Sequence, residues 1–141
     1  MALPPFGAPK LRAVKKAMKH YHYDWSVVED PGARFENLVA SHLLKWVEYQ
    51  IDTQGRALEL RYFRDIDGRE VDFVIVEGAL KPVAFVECKL GDDPPGQGLR
   101  YLKARFPEVT SWQVSAQGQR DYLSADGIRV APAARLLREL V

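Results

Sequence analysis

The sequence predicts an α/β layered domain with a mixed central β-sheet flanked by helices. Two observations lead there. Apolar residues repeat at helical spacing in some segments, and alternate or run on continuously at strand length in others. Those segments follow the order helix, helix, three strands, helix, strand, strand, helix, with turn signals between them. A chain of 141 residues, 47% hydrophobic and 28% charged, suits one such domain.

Residues 1–9 are proline-rich and read as a loose arm. Over residues 10–21 the spacing predicts a helix, with Leu11, Val14, Met18 and Tyr21 on one side and Arg12, Lys15, Lys16 and Lys19 largely on the other. Residues 1–30 are thus expected to form an arm and a basic helix ahead of a domain spanning 31–141. That domain opens at Asp30-Pro31, an N-cap followed by proline at the first helical position. Its first helix is expected to run to about Tyr49, with an apolar stripe of Phe35, Leu38, Val39, His42, Leu43, Trp46 and Val47. Three strands follow, Ala57 to Arg64, Arg69 to Glu77 and Pro82 to Leu90, with turns at Asp67-Gly68 and Glu77-Gly78. The polar stretch Asp92 to Gly98 leads to a helix from about Gln97 to Phe106, stopped by Pro107. Strands at Ser111 to Ser115 and Ile128 to Ala131 come next, and a last helix opens at Pro132 with Leu136, Leu137 and Leu140 inward.

Composition narrows the function classes. No apolar stretch approaches the ~20 residues of a membrane span, and no secretory pattern opens the chain. With Cys88 as the only cysteine, no intrachain disulfide can form, and a reducing, cytoplasmic setting is expected. The net charge of +1 does not mark a nucleic-acid binder, but its distribution is uneven. Bases gather between Lys10 and His22, and acids at Glu29-Asp30, Asp65 to Asp72 and Asp92-Asp93. Segregated patches suit a protein that offers cations to phosphate and carboxylates to metal, and they suit many others.

The third strand reads Val83-Ala84-Phe85-Val86-Glu87-Cys88-Lys89. Strand side chains alternate faces, so Glu87 and Lys89 share one while Cys88 turns to the other, where it is small enough to pack. Holding a carboxylate and an ammonium at the end of an apolar strand is costly. In the second strand Asp72 is the lone charge of the run Val71 to Val76, one hairpin away from Glu87. If the two strands pair, Asp72 and Glu87 come opposite or diagonal, within reach of one cation. Two carboxylates with water and phosphate oxygens make the shell that Mg²⁺ or Mn²⁺ prefers. Lys89 beside them can orient a water and stabilise developing charge.

Asp72 followed by Glu87-Cys88-Lys89 resembles the D…(D/E)-x-K signature of the PD-(D/E)XK nuclease superfamily, with Val71 where the name has proline. The segments GARFENLVASHLLK, ELRYFRDIDGREVDFVI and FVECKL further resemble the nuclease-like C-terminal domain that follows the ATPase module in many prokaryotic AAA-type ATPases. The resemblance implies a restriction-endonuclease-like core, a Mg²⁺- or Mn²⁺-dependent endonuclease activity on DNA, and Glu36 on the preceding helix as a third acidic residue of the site. Many such nucleases are dimers. Gln97 and Tyr101 resemble the Q-x-x-x-Y element of RecB-like nucleases, as auxiliary residues. No G-x-x-x-x-G-K-[ST] pattern occurs, so the chain is expected to be a fragment or truncated relative of such an ATPase, or a stand-alone version, with an AAA-type ATPase module as a possible partner. Phosphate contacts are expected from Arg12, Lys15, Lys16 and Lys19 and from Arg100 and Lys103.

Each expectation has a plainer rival. Asp72, Glu87 and Lys89 would equally make a cross-strand ion-pair network, Glu36 a solvated helix carboxylate, and the basic residues a solvated surface. Superfamily members also keep the fold and lose catalysis, which leaves a DNA- or protein-binding module as the alternative function.

Overall fold

A computed structural model describes residues 1–140; the last residue of the expected domain, Val141, lies outside the described residues. Short strands β1 (Ala2–Leu3) and β2 (Lys19–His20) pair antiparallel near the N-terminus, ahead of a 3-10 turn at Trp25–Val27. Helix α1 (Pro31–Gln54) follows, then strands β3 (Leu58–Arg64), β4 (Glu70–Glu77) and β5 (Lys81–Lys89). The rest of the chain forms α2 (Gln97–Arg105), β6 (Thr110–Ser115), β7 (Tyr122–Leu123), β8 (Arg129–Pro132) and α3 (Ala133–Glu139).

The main sheet is mixed, in the order β3-β4-β5-β6-β8-β7. The β3-β4-β5 meander is antiparallel, β5-β6 and β6-β8 are parallel, and β7 closes one edge antiparallel to β8. The α/β class and the three-strand meander are as the sequence predicts. Helices cover both faces. Phe35, Val39, Leu43 and Val47 of α1 and Leu136 of α3 pack on Leu60, Phe73, Ile75, Val86, Trp112 and Val114. On the other face Leu99 and Leu102 of α2 pack on Phe63, Val71, Val74 and Phe85. Among the described residues no helix is long and apolar enough to cross a membrane.

Asp30 caps α1 as expected, its carboxylate accepting from the Ala33 amide at 2.9 Å. The helix then continues past Tyr49 to Gln54, because its stop signal is Gly55, which takes the left-handed conformation (φ 66°) that a side chain resists. His42 does not join the buried stripe; it is exposed. Strand β7 was not foreseen: two residues carry too little pattern to read.

The helix expected over 10–21 does not form. Residues 2–20 form no helix; they run as short extended stretches, with a turn at Pro9-Lys10, along the open edge of β3. Phe6 N donates to Tyr62 O at 2.7 Å, Tyr62 N to Pro4 O at 3.2 Å and Val14 N to Arg64 O at 2.8 Å. An uncovered edge strand leaves a row of amides and carbonyls without partners, and the arm supplies them. The helical spacing of apolar residues was fortuitous, since Tyr21 is buried while Met18 is 47% exposed. Nor is the proline-rich start loose: Leu3 and Phe6 are buried, and Phe6 meets Phe106 edge-on with ring centroids 6.1 Å apart. The β3–β4 turn is braced from inside by Asp65, whose carboxylate accepts from the Asp67 and Arg69 amides and pairs with the Arg69 guanidinium at 2.7 Å.

Candidate active site

The β4–β5 ladder shifts register between Ile75 and Val76, then runs to Phe73 opposite Val86 and stops there. One step further Asp72 stands opposite Glu87, as the hairpin spacing predicts. Here side chains replace the ladder. The Asp72 amide donates to Glu87 Oε1 at 3.2 Å, and the Cys88 amide donates to Asp72 Oδ2 at 2.9 Å. Each carboxylate thereby satisfies the backbone of the other's strand at the point where the strands separate.

A bulge sets the aim of Asp72. Arg61 of β3 pairs with Val74 and Phe63 with Val71, so Asp72 and Phe73 together face the single residue Tyr62. Alternation breaks at this point. Val71 packs beneath α2, while Phe73, two residues on, packs beneath α1. On the α1 side, Lys19 Nζ lies 3.6 Å from Asp72 Oδ1 and 2.8 Å from Glu36 Oε2. Tyr21 donates its hydroxyl to the same Glu36 oxygen at 2.5 Å. The fold therefore links Glu36 to Asp72 through Lys19, sets Glu87 against Asp72, and adds Tyr21.

Glu87 is 7% exposed and shares a face with Lys89, as strand alternation predicts. Both flank Gly96, the N-cap of α2. A methyl group placed on Gly96 would stand 3.4 Å from Glu87 Oε2 and 3.9 Å from Lys89 Cε. The loop that delivers Gly96 is held by Gln113, which sits opposite Glu87 on β6 and is 2% exposed. Its side-chain oxygen accepts from the Gly96 amide at 2.9 Å, and its amide nitrogen donates to the carbonyls of Asp93 and Pro94. Gln113→Leu is expected to destabilise the protein by about 1–3 kcal/mol, because it removes the side-chain partners of the Gly96 amide and of the Asp93 and Pro94 carbonyls. Urea unfolding checks the size, and an unchanged midpoint would remove Gln113 as the brace of this loop.

The electrostatics follow from burial and crowding. Burial, then the neighbouring Glu87 carboxylate, pushes Asp72 up to about 7, against the pull of Glu36 and Lys19. Burial and the Asp72 charge raise Glu36, with Lys19 opposing. For Lys19, burial favours loss of the proton, but Glu36, Asp72 and Glu70 outweigh it and hold the ammonium above its usual range. Burial and the Glu36 charge keep the Tyr21 phenol protonated. Cys88 is likewise pushed up by burial, then by the carboxylates, which removes it as a nucleophile.

The donor set suits a hard divalent cation in part. Asp72 and Glu87 are two crowded carboxylates whose repulsion a dication would relieve, and Mg²⁺ is commonly held by one or two carboxylates with waters completing the shell. Glu36 is engaged by Lys19 and Tyr21. Among the described residues no three His, Cys, Asp or Glu side chains stand together as a ready-made ligand group. The fit is thus a two-carboxylate one, through Asp72 and Glu87.

Residues 31–136 match the family model described as a domain of unknown function, DUF4143. The chain belongs to the DUF4143 family. No curated protein and no solved structure matches it. The matched stretch of the DUF4143 domain contains Glu36, Asp72, Glu87, Lys89 and Gln113; Lys19 and Tyr21 come from the arm ahead of it.

The remaining expected residues are scattered. Because the basic helix is absent, Arg12, Lys15, Lys16 and Lys19 do not share a face. Arg12 pairs with Asp67, Lys19 enters the carboxylate cluster, and Lys15 and Lys16 are exposed. Arg100 lies 3.9 Å from Asp126, and Lys103 donates its ammonium to the carbonyls of Pro107 and Val109. Gln97 opens α2 exposed to solvent. Tyr101 stacks on Phe63 and carries the guanidinium groups of Arg69 and Arg105 at 3.7 and 4.0 Å from its ring centre. Sequence reading missed Tyr21, Asn37 and Gln113. The signal for Gln113 was weaker than the one that marked Asp72, since its strand also carries Thr110, Ser111 and Ser115.

Proposed function

We propose that the domain is a divalent-metal-dependent endonuclease-type module that hydrolyses DNA phosphodiester bonds. The observation that carries this reading is Asp72 opposite Glu87 where β4 and β5 separate, with Lys89 on the face of Glu87. Asp72 and Glu87 would hold Mg²⁺ or Mn²⁺, which when bound supplies a Lewis acid and an activated water. Lys89 orients that water and places positive charge beside the phosphate oxygens. Glu36 supports the site through its contact with Lys19. Lys15 and Lys16 are the cations left for phosphate, since Arg12, Lys19, Arg100 and Lys103 have partners within the chain. Homodimers, which many nucleases of this kind form, fit the reading too, as does a cytoplasmic location.

The test is cleavage of plasmid and branched DNA with Mg²⁺ or Mn²⁺ by wild type, Asp72→Ala, Glu87→Ala and Lys89→Ala. Loss of activity of about 100-fold or more in each variant is expected, the scale of removing one essential group. Equal residual cleavage in all four would mark a contaminant.

One observation favours a second reading. The ammonium of Lys19 already balances Glu36 and Asp72, as it would in a nuclease-fold module without catalysis. Such a module, joined to an AAA-type ATPase as the sequence resemblance suggests, would bind DNA or a protein partner. Binding of DNA without metal-dependent cleavage would select it.

A further inference from the structure

The arm that brings Lys19 to the carboxylates is clamped on both sides of it. Before Lys19, the Tyr62 hydroxyl donates to Ala17 O at 2.6 Å. After it, Asn37 of α1, 3% exposed, grips the backbone of His22 twice: His22 N donates to Asn37 Oδ1 and Asn37 Nδ2 to His22 O, each at 2.8 Å. Further anchorage comes from the N-terminal ammonium, which donates to Tyr21 O at 3.1 Å, and from the Tyr21 amide, which returns to Met1 O at 2.8 Å. Lys19 and Tyr21 sit two residues apart in extended chain, so they point to the same side, and both reach Glu36. The ammonium lies 5.6 Å from the ring centre of Tyr21 and 5.9 Å from that of Tyr62, so aromatic faces line its berth. A lysine on a solvated surface needs none of these fixtures. Those with Asn37, Tyr62 and Tyr21 together set one side chain against Glu36 and Asp72.

We propose that Lys19 is a built-in counter-cation of the Glu36–Asp72 pair, held there by the arm as a strap, and that a divalent ion must displace it to use Asp72. The inference rests on the metal-binding reading of Asp72 and Glu87. The two cations compete for one carboxylate, so each lowers the other's hold by the same factor. The strap then serves as an autoinhibitory contact: it keeps the cluster neutralised when metal is scarce, and a partner that peels the arm from the edge of β3 would open the site.

Two measurements on the whole chain test this. Calorimetry with Mg²⁺ and with Mn²⁺ compares wild type, Lys19→Met, Lys19→Arg and Asp72→Asn. Lys19→Met is expected to bind metal about tenfold tighter than wild type or better, since a like charge leaves the ligand shell. Lys19→Arg stays near wild type and Asp72→Asn loses binding. Equal or weaker binding by Lys19→Met overturns the inference while the metal reading stands. No binding by any of the four overturns both. The second measurement needs no variant. An amine-acetylating reagent, read by peptide mass spectrometry, should modify Lys19 several-fold more slowly than exposed Lys15 and Lys16 in metal-free protein. Saturating Mg²⁺ should close much of that gap, and Lys19 labelling that ignores saturating Mg²⁺ overturns the strap.

Discussion

Replacing Gly98 with alanine is expected to cost about 3 kcal/mol of stability or more, enough to leave much of the protein unfolded. Gly98 lies in the first turn of α2, where the helix crosses the start of β4. A methyl group there would sit 2.0 Å from the Glu70 carbonyl oxygen and 2.7 Å from the Glu70 carbonyl carbon and nitrogen. Those are backbone atoms, and they cannot swing aside as a side chain would. Glu70 is paired with Arg64 in the β3–β4 ladder, and α2 is pinned by Leu99 and Leu102, both fully buried. Relief requires lifting the helix, which opens the core beneath it and moves Gly96 away from Glu87. Gly91→Ala is the control, because its added methyl group meets nothing within 4 Å and its backbone is not in the left-handed region. That variant should stay within about 0.5 kcal/mol of wild type. Urea unfolding of both variants decides the matter: a Gly98→Ala protein as stable as Gly91→Ala would mean that α2 does not press on β4.

Asp72→Asn is expected to stabilise the protein at pH 8 by about 2–4 kcal/mol, while removing metal binding. The sign follows from the direction of the shift. Asp72 titrates at about 7 in the fold against 3.8 in an unfolded chain. The folded state therefore holds the proton more tightly between those values, and the stability present at low pH is lost as pH rises through that window. Wild type should lose stability by about 1 kcal/mol per pH unit more steeply than Asp72→Asn from about pH 4 to 7. The two curves converge in acid and stay apart above pH 7. Asparagine keeps an oxygen for the Cys88 amide, so the comparison isolates the charge. Urea midpoints at pH 5, 6, 7 and 8 measure it, and parallel pH dependence in the two proteins would refute the account. A carboxylate that weakens its own fold would support the proposed cation site, since the ion's attraction is the ligands' repulsion in its absence.

Much of the molecule was legible because the information is local. Asp30-Pro31 marked the start of α1, Asp67-Gly68 marked the hairpin, and alternation put Glu87 and Lys89 on one face. The lone Asp72 in an apolar strand could be placed opposite Glu87 by counting through the turn. Residues 10–21 failed for the opposite reason. Their conformation is decided by the open edge of β3, more than forty residues further along the chain, and no local periodicity reports on an edge that needs covering. His42 failed more simply: a stripe drawn at helical spacing says which residues line up, but how wide a stripe is buried depends on where the sheet and α3 end.

The sequence by itself determined the α/β layering, the meander, and the two carboxylates and lysine at the sheet's separating strands, because propensity, alternation and turn chemistry act between near neighbours. Only the tertiary structure decided where Asp72 points and what stands beside it. The bulge opposite Tyr62 turns its carboxylate toward α1, and the strapped arm sets Lys19 between it and Glu36. Both depend on pairing between segments distant in the chain, where the unsatisfied backbone of one edge outweighs the helical preference of the segment that covers it.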